Sequence, residues 1–485
     1  MTTEPDRLLR QGEISQIRTA LVERRFSAVE IARACLDRIE NLSEAGPQLN
    51  AVRGVSTTVL EQAERLDQTL SDGIAPGPLH GIPVLLKDNI QTTDGLPMSA
   101  GAMALRDFYP RREATIVTRL RRAGAVIMGK TNLTEFADYV SDVMPSEFSG
   151  LGGVVRNPHG MQYGRGGGSS IGSAAAVSAG IVPVALGSET QNSIQTPACN
   201  TSIVGFKPSV GRVSRAGIFP LVPSQDSPGP LTRSVEDAWI VHSAISGPDP
   251  ADTQTLLPSL LVGDRPVSIQ DYGSIRLGAP RIAMTDGEDI EPVLHLFEDA
   301  LLKLSKAGIH VVDPCDLPSA ERVRDVRSSV FPAEFKAALN EFLVTNGRPN
   351  GIGSIDDLIT WNEANEEAIP YGQPLLLAAR DSEDLNQGSY RSDRLRDVAL
   401  TRQSGIDAAL AAGGVDALIV PMSVAAKYTG KAGAPVMAIP VGLDDAGNPF
   451  GVTVFTRYGD DARLFAVARA IEEIIGDLRR PVFAE

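Results

Sequence analysis

The chain has 485 residues, 42% hydrophobic and 22% charged, with a formal net charge of −15. That balance describes a globular protein with a large core, and its acidity argues against a nucleic-acid or anionic-membrane partner. Three cysteines, Cys35, Cys199 and Cys315, lie far apart and form no CxxC pair, which suits a reducing, cytoplasmic setting. The polar start MTTEPDRLLRQGE does not read as a secretory signal.

In chain order, residues 1 to about 45 read as helical. Ser27-Ala-Val-Glu30 is a capping-box pattern, and Val29, Ile31, Ala32, Cys35, Leu36 and Ile39 fall largely on one face. The whole of 1–65 is expected as a helical segment packed on the body. A Gly/Pro cluster at 72–83 then leads into Val84-Leu85-Leu86-Lys87-Asp88, a short apolar strand with a lysine at its end. A cadence of helix, glycine and apolar strand occurs at 113–128 and recurs at 291–312 and 405–420.

The apolar window 171–186 is too short to span a membrane and contains Gly, Ser and Pro, so it reads as a buried helix followed by a buried strand. The tail reads as a hairpin, 436–441 and 450–455 about DDAGNP, before an amphipathic helix at 460–475. The weakest pattern, 246–275, is expected as a loop or insertion. Alternating helices and apolar strands predict an α/β layer structure with a mostly parallel sheet. One domain over 1–485 is expected, because the candidate site pieces at 87, 169 and 193 precede strands at 417–455 that have no separate core.

The stretch 164–208 carries the chemistry. Glycines at 164 and 166–168 precede Ser169 and Ser170 at the mouth of a small-residue helix, and a second polar turn carries Ser193. Gly/Ser runs are also ordinary turns. Two nucleophile schemes compete with that reading. Gly168-Ser169-Ser170-Ile171-Gly172 matches a G-x-S-x-G elbow centred on Ser170, which needs a histidine. The five available are His80, His159, His242, His295 and His310; the last three lie in or beside expected helices or a strand, and none of these three stands in a Gly/Pro-rich catalytic-loop setting. The other scheme activates a serine with an unprotonated lysine. Lys87 ends an apolar strand, where burial disfavours its charge. Strand alternation sends Asp88 to the opposite face, away from the lysine.

Five segments carry a family resemblance: HGIPVLLKDNI (80–90), GAVIMGKTNLTEFA (124–137), GGGSSIGSAAAVSAGIVPVALGSET (166–190), SIQTPACNTSIVGFKPSVGRVSRAGIFP (193–220) and SQDSPGPLTRSVEDA (224–238). Over most of its length the chain resembles the amidase signature family, and is most similar to its stand-alone, peptide-amidase-like members. The resemblance implies one large mixed, mostly parallel sheet covered by helices on both faces. It implies Ser193 as nucleophile, Ser169 as a bridging serine on a cis peptide bond, and Lys87 as base. The 24-residue spacing of the two serines meets the family's pattern. The backbone N–H groups of Thr190, Gln191, Asn192 and Ser193 are the implied oxyanion hole, with no metal or organic cofactor.

Ser170 and Ser173 read equally as hydrogen-bond support for the site and as helix caps, Glu189 and Asp226 are expected as acceptors within the site loops, and Arg212 is expected to hold a backbone or carboxylate in place. Met144, Phe148, Phe219, Leu221 and Tyr371 are expected as walls of a substrate cleft. The expected ligand is an uncharged, partly apolar small molecule: a carboxamide, peptide amide, anilide or carbamate. The protein is expected as a monomer or homodimer. The rival roles are an amidotransferase subunit with a protein partner and an inert binding protein. Three departures bear on specificity: Gln191-Asn192 replaces the usual Gly-Gly, Gln195 replaces an arginine, and Ile171 replaces a glycine.

Overall fold

The computed structural model describes residues 3–160, 167–257, 260, 269, 271–285 and 290–483. Two glycines of the Gly-rich run, 164 and 166, lie outside these residues, as does much of the expected loop at 246–275. The strands are β1 (Val52–Val55), β2 (Pro83–Lys87), β3 (Val126–Thr131), β4 (Phe148–Ser149), β5 (Gly153–Val154), β6 (Val184–Glu189) and β7 (Val204–Lys207). They continue with β8 (Ser227–Thr232), β9 (Arg276–Gly278), β10 (His310–Val312), β11 (Ala417–Pro421), β12 (Val436–Leu443) and β13 (Pro449–Phe455).

Apart from the β4–β5 pair, they form one mixed 11-stranded sheet in the order β1-β3-β2-β6-β8-β7-β12-β13-β11-β9-β10, surrounded by helices. The expectation of a mostly parallel sheet needs a correction. Parallel pairing is confined to two outer blocks, β3-β2-β6 and β11-β9-β10. These are where helices separate successive strands, as a parallel crossover requires. Between them β6, β8, β7, β12, β13 and β11 pair antiparallel, with the tail hairpin β12-β13 at the centre.

The N-terminal segment differs from expectation in one respect. Helices Glu4–Gln11, Ile14–Val22 and Ala28–Arg38 form, the last with the Ser27/Glu30 capping box. Val52–Val55, however, is an edge strand paired antiparallel with β3. Only four residues long and polar at Arg53, it carries too little alternation to be read from sequence.

Three apolar clusters fill the molecule. One joins the N-terminal helices to β2, β3, β6 and the fully buried helix Ile171–Ser178. A second lies about β9, β11, β12, β13 and the last helix, Asp461–Ile475. The third packs helices Val330–Thr345, Ile355–Glu363 and Pro374–Arg380 over the loops at 98–108, 136–148 and 219–222. Among the described residues, no helix is long and apolar enough to cross a membrane.

Candidate active site

Lys87 ends β2 between its parallel neighbours β3 and β6, and is fully buried. Its Nζ donates to Ser169 Oγ at 2.7 Å and to the Ser188 carbonyl at 3.1 Å. Burial pushes the amine from 10.5 down to about 7, against the pull of the Asp226, Glu189 and Asp138 carboxylates. Asp88 is engaged elsewhere, as strand alternation requires. Its Oδ2 accepts from Arg53 Nε at 2.7 Å, Ser99 Oγ at 2.5 Å and the Ser99 N–H at 3.3 Å.

Ser169 follows a cis Gly168–Ser169 peptide bond and is fully buried. Its carbonyl accepts the Thr134 N–H at 3.1 Å. Gly168 allows this close approach, because a Cβ there would stand 2.1 Å from Thr134 Oγ1 and 2.2 Å from the Ser146 carbonyl oxygen. The Ser170 hydroxyl donates to the Ser188 carbonyl at 3.1 Å, so Lys87 and Ser170 share one acceptor. Ser170 makes no side-chain cap on its helix. Ser173 sits deeper, between Thr131 Oγ1 and the Leu186 carbonyl.

Ser193 is buried in the turn joining β6 to the helix Gln195–Asn200, and its carbonyl accepts the Ser170 N–H at 3.1 Å. The two serine turns are thereby stitched together through their backbones. Glu189, at the end of β6, fixes the second turn. Its Oε2 accepts the N–H groups of Ile194 (2.7 Å) and Gln195 (2.9 Å), and Oε1 accepts Gln195 Nε2 at 2.7 Å. Gln195 also donates to the Gln191 carbonyl at 2.7 Å. The residue that departs from the family pattern thus closes the turn from within. Among the described residues, none of these bonds uses the N–H groups of Thr190, Gln191, Asn192 or Ser193. Gln191 Nε2 is tied to Gln225 Oε1 at 3.1 Å, while Asn192 is exposed. Glu189→Ala strands three buried donors and should cost about 2–4 kcal/mol of stability, measured as a lower denaturant midpoint, with turnover falling in the fraction that stays folded.

Asp226 accepts from Thr190 Oγ1 at 2.6 Å and from the N–H groups of Leu221 and Val222 at 2.9 and 3.1 Å. Arg212 does hold a backbone and a carboxylate, as expected of it, but at another seam. It bonds Asp461 Oδ2 and the carbonyls of Leu260 and Gly459.

A cavity of about 810 Å³ opens beside Asn89, Ser188, Thr190 and Asp226. Phe219 and Leu221 line it; Met144, Phe148 and Tyr371 do not. All five nevertheless meet in the third apolar cluster, where the Phe148 and Tyr371 rings pack edge to face at 5.1 Å.

The elbow scheme has little geometry behind it. The Ser170 hydroxyl is engaged with Ser188, and His242 is packed among Phe206, Trp239 and Phe465. Sequence reading missed Asn89, whose Nδ2 donates to Ser188 Oγ at 2.8 Å. It also missed Asp138, and two further fully buried lysines. Lys130 and Lys207 stand at or beside the ends of apolar strands much as Lys87 does, and burial lowers each to about 8. They donate to the carbonyls of Ile90 and Ala434, and only Lys87 meets a serine.

The family described as Amidase matches residues 30–432. The chain belongs to the amidase family. The native peptide amidase of Stenotrophomonas maltophilia superposes with a TM-score of 0.88 at 35% identity, covering 98% of this chain and 99% of that one. A probable amidase of Arabidopsis thaliana is 32% identical over 478 residues, covering 96% of this chain and 90% of the relative. A glutamyl-tRNA(Gln) amidotransferase subunit of Heliobacterium modesticaldum is 34% identical, covering 95% and 96% respectively. Membership of the amidase family supports hydrolysis of carbon–nitrogen bonds in amides.

Proposed function

We propose that this amidase cleaves a carboxamide, peptide amide, anilide or carbamate through an acyl-enzyme on Ser193, with Lys87 as base and Ser169 as relay. One observation carries the reading. A fully buried lysine, its amine lowered to about 7, meets the Ser169 hydroxyl at 2.7 Å and has no carboxylate hydrogen-bonded to it among the described residues. Lys130 and Lys207 are as buried and likewise have no carboxylate hydrogen-bonded to them among the described residues, but they donate to carbonyls, so the serine contact is what sets Lys87 apart.

With the amine neutral, the same contact lets Ser169 donate its proton to Nζ; in the proposed relay Ser169 takes the proton of Ser193 as it does so. The freed Ser193 oxygen attacks the amide carbonyl. The tetrahedral oxyanion is held by N–H groups of Thr190–Ser193, each such donor being worth about 3–4 kcal/mol. The proton returns through Ser169 to the leaving nitrogen, which departs as a neutral amine. Water then opens the acyl-enzyme by the same relay. Residues 1–485 act as one catalytic unit, with a small-molecule substrate as the ligand.

The relative named as an amidotransferase subunit supports a second reading, in which glutamine is the amide donor and a partner protein receives the ammonia. One experiment separates the readings and the inert alternative. The purified protein is quenched during turnover of a nitrophenyl ester, a nitroanilide, an amino-acid amide, a carbamate or glutamine, and its intact and peptide masses are read. An acyl increment on the peptide carrying Ser193, formed from the amides without any partner, is expected. An increment from glutamine alone favours the amidotransferase reading. Hydrolysis with the adduct on another residue overturns the assignment of Ser193.

A further inference from the structure

We propose that Asp138 sets specificity, receiving an ammonium group that the amide substrate carries next to its scissile carbonyl. This rests on the Ser193 reading and adds to it a substrate class: amides of free amino acids and amino-terminal peptides. The expectation of an uncharged ligand then holds for the reacting carbonyl and not for its neighbour.

The backbone around Asp138 is unusual. Phe136, Ala137 and Asp138 are successive non-glycine residues with left-handed φ of 46°, 57° and 75°. Each such residue costs on the order of 1 kcal/mol, and persists only where its surroundings over-determine it. The surroundings here are explicit. Phe136 stacks on Phe219 at a centroid distance of 5.1 Å and packs against Phe335. Its N–H donates to the Ala100 carbonyl at 2.9 Å. Apolar packing thus holds the turn from one side, and the carboxylate at its end is the group so presented.

That carboxylate stands in the wrong company for a structural one. Its sequence neighbours Ala137 and Tyr139, with Met144, Phe148 and Tyr371, belong to the third apolar cluster. Oδ2 accepts from Ser146 Oγ at 3.2 Å. Among the described residues, Oδ1 has no hydrogen-bond partner and no cation pairs with the group. Desolvation lifts the carboxyl to about 6, which leaves it mainly ionised at neutral pH. A half-buried anion with one weak donor lacks compensation, and an incoming N–H donor supplies it.

The turn also touches the reacting groups. Thr134 and Ser146, on either side of Asp138, clasp the Gly168–Ser169 bond through the contacts described above. Lys87 and Asp138 lie within each other's field. The turn that carries Asp138 therefore adjoins the reacting groups, and its Ala137 lines the cavity.

The test compares phenylalaninamide with N-acetylphenylalaninamide at about pH 7, where an α-amino group is largely protonated. In the full-length protein, Asp138→Asn should lower kcat/KM for the free amine about 100-fold, mainly through KM. The acetylated amide should change less than about threefold, and Asp138→Glu should restore part of the difference. Equal losses on both substrates, or a displaced acid limb of the rate without discrimination, would mean that Asp138 acts on Lys87 and would overturn the inference. So would a wild-type enzyme that turns over the acetylated amide alone, and that result leaves Ser193 catalysis intact. Ser193→Ala, assayed beside it, fails independently: if it retains activity, the acyl-enzyme reading falls first.

Discussion

Ser193→Ala should reduce kcat by about 10⁵-fold or more, to the level left by binding and backbone donors alone. The size follows from what the substitution removes. No other hydroxyl can replace it along the same path: Ser169 is committed to Lys87 at 2.7 Å, and Ser170 to the Ser188 carbonyl at 3.1 Å. The fold should be unaffected, since the bonds that fix the turn use the Glu189 carboxylate and the backbone of Ile194 and Gln195. The Ser193 carbonyl, which accepts the Ser170 N–H, is retained in alanine. Ser170→Ala gives the contrast. It removes one of two donors to Ser188 and should cost roughly 10-fold, because Lys87 still holds that carbonyl. Steady-state kinetics on one amide, with thermal melts as the control for folding, measures both. The elbow scheme predicts the reverse order, and a dead Ser170→Ala beside an active Ser193→Ala would reinstate it.

Much of this site was legible because its signals are local. A lysine closing an apolar strand, two hydroxyls at Gly-rich turns and a fixed spacing between them are all short-range features. The spacing predicts that the turns meet, and the Ser170-to-Ser193 backbone bond is how they do so. Alternation along β2 likewise predicts that Asp88 leaves Lys87 alone.

The failures are non-local. Arg212 holds a backbone and a carboxylate as read, but its partners were not legible, because its bonds reach Gly459 and Asp461, 247 and 249 residues away in the chain. Asp138 carries no periodic signal at all. It becomes conspicuous only as the last of three consecutive left-handed residues, flanked by Ala137 and Tyr139 of the third apolar cluster. Lys130 and Lys207 show the limit of the strongest signal. The pattern that singled out Lys87 fits them almost as well, and only tertiary contact with a serine tells the three apart. The antiparallel centre of the sheet escaped for a related reason. Strand order is set by packing between distant segments, while helix–glycine–strand cadences are visible only in the outer blocks.

Lys87→Met should lower kcat by about 10²–10⁴-fold, the range a positioned general base contributes, and erase the acid limb of the pH profile. In the wild type that limb should fall near pH 7, where the buried amine loses its proton, and kcat should rise with pH through it. The same substitution should make the protein more stable, and the sign follows from proton linkage. In the unfolded chain Lys87 titrates near its ordinary value of 10.5, and in the fold near 7. Between those values the unfolded state binds more protons, so this residue's contribution to stability rises with pH across that window. Below about 7 the lysine is charged in both states and must be desolvated on folding, at full cost. Methionine fills a similar volume without that charge, at the loss of the bonds to Ser169 and Ser188. Lys87→Met should therefore melt higher than the wild type at pH 6, with the advantage shrinking toward pH 10. Scanning calorimetry at both values, paired with pH–rate profiles, checks the two halves together. A variant that melts lower at pH 6 would mean that Lys87 is held by a favourable charge interaction, and a base so held cannot be the neutral amine the relay requires.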